Sequence, residues 1–243
     1  MFTFTNGLYG KVINTFPERV QLFAQADADF VLYAEFNGEF AAMSADGFLH
    51  ELTRNDVKGI ICGFDYRFGK GATGDTALLE RFCAERRIAF QVQPEFCIGG
   101  KKVSTTLIKE LLAQGDMGSA KQFLGREYFL EGYVTVGHGV GKRLGFPTAN
   151  IEVEAEKLLP KCGVYGGTAE FDGITKKCVI NVGARPTFND EQPAVEAHLL
   201  DFDGDLYLKK IRLAFDTYLR PVEKFDTEQE LVEQISSDIR RVL

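Results

Sequence analysis

The sequence predicts two domains: an N-terminal α/β domain around a parallel, doubly wound sheet, and a C-terminal all-β domain, a small antiparallel barrel or sandwich closed off by a helix. Three observations carry this expectation. The chain has 243 residues, and a single domain usually takes only about 100–150. Strand-like and helix-like runs alternate in its first half, the pattern of βαβ units. After Gly125 the texture changes to short strand-like runs separated by Gly, Pro, Asn and Asp, with no helix-length segment between them.

In chain order, Phe2 to Phe4, Phe30 to Tyr33, Gly59 to Cys62 and Ala89 to Val92 read as strands, being short and rich in β-branched and aromatic residues. Between them, Pro17 to Ala26, Gly47 to Leu52 and Thr76 to Arg87 have helical spacing. Ser104 is a candidate N-cap for a helix with Leu107, Ile108, Leu111 and Leu112 on one face, and Gly115 would end it. A second short helix stops near Gly125, which sets the domains at 1–123 and 124–243. Beyond it, Glu131 to Val136, Val164 to Phe171, Lys177 to Val182, Val195 to Phe202 and Leu206 to Phe215 read as strands. Thr227-Glu228-Gln229-Glu230 is a capping box, and Leu231, Ile235, Ile239 and Val242 follow at helical spacing, so a last helix should pack on the β domain.

Composition narrows the function. Hydrophobic residues make up 45% and charged residues 26%, enough to build packed cores. A net charge of -7 argues against a basic nucleic-acid-binding surface, since phosphate neutralisation needs clustered Lys and Arg. The five cysteines are odd in number and form no C-x-x-C pair, which reads as reduced thiols in a cytoplasmic protein. Met1 to Gly10 shows no signal-peptide pattern, and no apolar run reaches the roughly 20 residues of a membrane helix. Small molecules are the expected partners, rather than nucleic acid or membrane.

The sharpest chemical signal is the stretch Gly137, Gly139 and Gly141-Lys142-Arg143-Leu144-Gly145-Phe146-Pro147-Thr148-Ala149-Asn150. Glycines let backbone amides approach a polyphosphate, and Lys142 and Arg143 bring positive charge to an acidic chain. A mobile hairpin tip needs the same glycines, so the spacing alone leaves both readings open. A dinucleotide fingerprint fits less well, because it must open a helix and Pro147 follows here. The Thr148 hydroxyl and Asn150 amide, two residues apart, would share one face of an extended strand, and such hard oxygens suit Mg²⁺ completed by phosphate and water. A second signal is Glu196-Ala197-His198, which puts Glu196 and His198 on one strand face. A carboxylate beside a metal-bound phosphate can accept the proton of an attacking alcohol, although an ordinary polar strand face would look the same.

Leu124-Gly125-Arg126, Leu144 to Asn150, Asn181 to Phe188, Glu196 to Phe202 and Lys224-Phe225 together resemble the riboflavin kinase module, in order and across the whole second half. The resemblance implies a six-stranded Greek-key barrel. It implies that Thr148 and Asn150 hold Mg²⁺ and nucleotide phosphates and that Glu196 is the catalytic base, beside the nucleotide-binding role expected of Gly137, Gly139, Gly141, Lys142 and Gly145 from the residues themselves. It also puts Arg185 to Phe188 on a flap over the flavin. The family usually has Arg where Lys142 stands.

The first half resembles the Rossmann-like adenylyltransferase module that bacterial FAD synthetases join to this kinase, through Gly63 to Gly71, Gly74-Asp75 and, in part, Val103 to Lys109. Leu107 and Lys109 stand where that family has arginines. Its H-x-G-H signature is absent, the histidines being His50, His138 and His198, and the chain starts where the family's second strand would lie. The expectation is a kinase making FMN from riboflavin and ATP, with an N-terminal module that lacks its first strand and helix and does not adenylylate FMN. An uncovered N-terminal sheet would then offer a route to self-association. The alternatives are a full bifunctional FAD synthetase and a non-catalytic flavin-binding regulator, and the joint presence of Thr148, Asn150 and Glu196 weighs against the latter.

Overall fold

The computed structural model describes residues 10–137, 139–183 and 194–243. Two compact units emerge: Val20–Val103 forms one, and residues 10–19 with Ser104–Leu243 form the other. Helix α1 (Phe16–Gln25) begins in the second unit and ends in the first.

The first unit carries α2 (Gly38–Ala42), α3 (Ala45–Leu52), β1 (Gly59–Gly63), α4 (Thr76–Arg86), β2 (Ala89–Gln93), and the short hairpin of β3 (Cys97–Ile98) and β4 (Lys101–Lys102). Strands β1 and β2 pair in parallel through the crossover helix α4, as the alternation predicts. Side chains of Asn37, Ser44 and Asp75 cap α2, α3 and α4 by accepting from the backbone N–H three residues on. The core gathers Leu49, Phe68, Leu79, Phe82 and Cys83. The expected strand at Phe30 to Tyr33 does not form. Among the described residues the run pairs with no strand, and Phe30 is 89% and Leu32 94% exposed. A strand needs a partner, which β propensity alone cannot supply. The expected strand at Phe2 to Phe4 lies outside the described residues.

In the second unit, α5 (Thr105–Gln114) and α6 (Met117–Leu124) precede β5 (Tyr128–Thr135), the one-turn α7 (Val140–Arg143), β6 (Ala149–Val153), β7 (Gly163–Phe171), β8 (Ile174–Gly183), β9 (Ala194–Leu199), β10 (Lys210–Arg220) and α8 (Glu228–Val242). Ser104 caps α5, and Gly115 and Gly125 end α5 and α6 in the left-handed region, where glycine carries no Cβ penalty. The six strands close into a barrel in the order β10-β5-β6-β9-β8-β7. Closure leaves no edge to protect. Leu130, Tyr165, Ile180, Ala197, Leu213 and Phe215 are among the side chains buried at 1% exposure or less. Helix α8, capped by Thr227, packs on β7 and β8.

Strand bounds differ from the sequence reading at several places: β5 and β8 each begin three residues earlier, at Tyr128 and Ile174, and β6 stands apart from the five expected strand runs. β9 stops at Leu199 because the chain turns at Asp201 (φ 53°), and β10 begins at Lys210, after Leu208 (φ 61°), and runs on to Arg220. Residues 200–209 therefore form a loop although Leu206, Tyr207 and Leu208 look strand-like.

Residues 10–19 are stitched to the barrel. Val12 bridges Lys157 in parallel, its N–H donating to Glu156 O at 2.7 Å and its carbonyl accepting from Leu158 N–H at 2.9 Å. The Lys157 ammonium, 1% exposed, donates to Ile13 O at 2.7 Å and to the Glu18 carboxylate, 3% exposed. Glu18 also accepts from Thr15 N–H at 2.9 Å, a capping contact for α1. Burial lowers Lys157 to about 8, against the pull of Glu18.

Candidate active site

Two cavities open on the barrel unit. The first, about 390 Å³, is lined by Gly137, Gly139, Lys142, Thr148 and Asn150 on one side and by the 202–207 loop on the other. The second, about 330 Å³, is lined by Thr148, Asn181, Glu196 and His198 of the barrel side and by Arg220, Leu231, Ile235 and Asp238 toward α8. Both volumes lie in the range of small-molecule sites. Thr148 lines both.

Strand register explains why these groups converge. Asn150 on β6 stands opposite Glu196 on β9, which stands opposite Asn181 on β8. Directly opposed residues share a face with Cβ atoms about 4.5–5.5 Å apart. On β9, Val195, Ala197 and Leu199 are buried and alternate with the half-buried Glu196 and His198, so period-two alternation turns the apolar residues inward and this polar pair onto the second cavity.

The loop from Gly137 to Thr148 is shaped by close approach. A Cβ on Gly137 would lie 1.9 Å from Asn150 Nδ2, and one on Gly141 would lie 2.4 Å from Phe146 O. Phe146 N–H donates to Gly141 O at 2.8 Å, turning the chain after α7. Gly139 and Gly145 have φ of 69° and 87°. Lys142 faces the first cavity, whereas the Arg143 guanidinium pairs with Glu228 in the first turn of α8 at 2.7 Å. Gly141 lines the second cavity rather than the first, and Gly145 lines neither. Arg185 and the rest of Arg185 to Phe188 lie outside the described residues.

Among the described residues, no group of three His, Cys, Asp or Glu side chains could hold a metal ion. The donors at the site are instead the exposed Thr148 hydroxyl and the Asn150 amide, on a residue only 8% exposed. Neither side chain has a hydrogen-bond partner among the described residues. Two uncommitted neutral oxygens fit a Mg²⁺ ion that takes most of its ligands from phosphate and water.

Sequence reading missed two sets of lining residues. Asp203, Asp205 and Tyr207 sit in the 200–209 loop, Asp203 and Asp205 between the two expected strands and Tyr207 within the second of them. Arg220 and Asp238 form an ion pair between β10 and α8 at 2.9 Å, with Asp238 1% exposed.

A closed barrel with cavities that share a hydroxyl, in a chain that also carries an α/β unit with a parallel strand pair, fits one class: a riboflavin kinase domain preceded in sequence by an FAD synthetase domain. The riboflavin kinase family model matches residues 124–243, and the FAD synthetase family model matches residues 2–107. The chain belongs to the family of bifunctional riboflavin kinase/FMN adenylyltransferases. The protein of that description from Escherichia coli (strain K12) is 33% identical over 226 residues, which cover 91% of this chain and 71% of the relative. The one from Bacillus subtilis (strain 168) is 30% identical over 231 residues, covering 93% and 73%. A crystal structure described as a macrolide-efflux protein from Streptococcus pneumoniae superposes with a TM-score of 0.86 at 25% identity, covering 95% of this chain and 75% of that one. Among the described residues no helix is long and apolar enough to cross a membrane.

Proposed function

We propose that the barrel unit transfers the γ-phosphoryl group of Mg-ATP to the ribityl 5′-hydroxyl of riboflavin, giving FMN and ADP. The observation that carries this reading is the juxtaposition of Thr148, which lines both cavities, with Asn150 and Glu196, opposed across β6 and β9. ATP would occupy the first cavity, with the Gly137 to Lys142 loop along its phosphates, and riboflavin the second. The 5′-oxygen forms its bond to the γ-phosphorus as the bond to the β-phosphate oxygen breaks, and the hydroxyl proton passes to the Glu196 carboxylate. Thr148 and Asn150 are the residues that would hold Mg²⁺, whose charge would offset that of the phosphates. Lys142 adds a positive charge to the same cavity. Phosphoryl transfer asks mainly for positioning and charge neutralisation, which this small set of groups can supply.

A second reading, adenylylation of FMN to FAD, is favoured by the FAD synthetase match over residues 2–107. One assay tests both: the purified 243-residue polypeptide with riboflavin, ATP and Mg²⁺, its flavins resolved by chromatography. FMN is the expected product. FAD formation is expected to be slight, since these residues carry no H-x-G-H and have Leu107 and Lys109 at the arginine positions. Absence of FMN would overturn the kinase reading, and robust FAD formation abolished by mutation in the first unit would overturn the expectation on FAD.

A further inference from the structure

His198 has a geometry that the base role of Glu196 does not use. Its Nδ1 lies 2.8 Å from the carbonyl oxygen of Pro147, 51 residues away in sequence. A carbonyl can only accept, so Nδ1 must carry the proton and donate. The Phe146 ring meets the imidazole edge to face, at 5.6 Å and 84°. One side chain of β9 therefore grips two consecutive residues, Phe146 and Pro147, immediately before Thr148. β6 begins only at Ala149, and the backbone bond next before it is Phe146 N–H to Gly141 O.

We propose that His198 is a positioning residue that braces the Phe146–Pro147 turn against β9, and so fixes the Thr148 hydroxyl where the two cavities meet. His198 acts through its Nδ1–H donor and takes no proton from the substrate. Glu196 lies two residues away on the same strand, so one short stretch of β9 sets both the proposed base and, through Pro147, the proposed phosphate and metal contact. A misplacement of about 1 Å at such a contact costs on the order of 10²-fold in rate.

The test is a set of variants assayed as full chains. His198→Leu should lose on the order of 10²-fold in kcat/KM for Mg-ATP. His198→Gln should be similarly impaired, because its nitrogen falls at the Nε2 position; it also serves if leucine disturbs the fold. His198→Asn, whose amide nitrogen overlays Nδ1, should recover most of the loss. In a Thr148→Ala background His198→Leu should add little, since both changes remove the same contact. Parental kcat/KM in His198→Leu, no recovery in His198→Asn, or losses that multiply in the double variant would each overturn the proposal. It rests on the kinase reading, and Thr148→Ala alone separates the two. Normal turnover in that variant sinks the kinase reading's use of Thr148, whereas an impaired Thr148→Ala beside an unimpaired His198→Leu sinks only the bracing role.

Discussion

Glu196 sits between Asn150 and Asn181 across three adjacent strands, so its carboxylate belongs to a polar row on a barrel whose inward positions are apolar. Glu196→Gln preserves that row's shape and removes the base. Turnover should fall by about 10²–10⁴-fold while riboflavin binding and the unfolding temperature stay near the parent's; steady-state kinetics with near-normal turnover would take Glu196 out of the mechanism. Thr148→Ala and Asn150→Ala each delete one of the two uncommitted oxygens and should impair the use of Mg-ATP. Activity should vanish in excess chelator and return with added Mg²⁺, and undiminished turnover in chelator would contradict the metal role. Thr148, Asn150 and Glu196 stand out in the sequence as candidates because their residue types are chemically specific and their motifs compact. Arg220 and Asp238 do not, since 17 residues separate them and only the packing of α8 on the barrel brings them to 2.9 Å.

The segment of residues 10–19 behaves as an extra element of the barrel unit, tied by the Val12 bridge and the Glu18–Lys157 pair. Removing one member of a buried ion pair strands the other, at a cost of about 3–5 kcal/mol. Lys157→Met should therefore lower stability by that order in chemical denaturation. Adding Glu18→Leu should recover part of it, because two apolar side chains replace two charges. Equal midpoints for the parent and Lys157→Met would show that the pair contributes nothing. Capping residues made most helices legible, as at Ser104, Gly115 and Thr227, because a cap is a local event that a few neighbouring residues decide. The run at Phe30 to Tyr33 and the start of β10 were misread because strand formation depends on a partner elsewhere in the chain.

For the molecule as a whole, the proposed boundary at 123/124 can be tested by fragments. Residues 124–243 contain every proposed kinase residue, so this fragment should phosphorylate riboflavin; an inactive or insoluble product would count against the boundary. It should nonetheless unfold at a lower temperature than residues 104–243. The longer fragment keeps α5 and α6, the Lys161 N–H to Leu112 O bond at 2.9 Å, and the Lys121–Glu127 ion pair at 2.9 Å. Equal melting temperatures would show that α5 and α6 add nothing to the barrel unit. By itself the sequence determined the two-part architecture, the α/β and all-β character of its parts, and the residues with chemistry to offer, because periodicity, capping and motif spacing are written in neighbouring positions. Only the tertiary structure decided that Asn150 faces Glu196, that Thr148 serves two cavities, that His198 reaches Pro147, and that residues 10–19 join the barrel unit. Each depends on strand register or on a contact across many residues, where a shift of one position would turn every side chain to the opposite face.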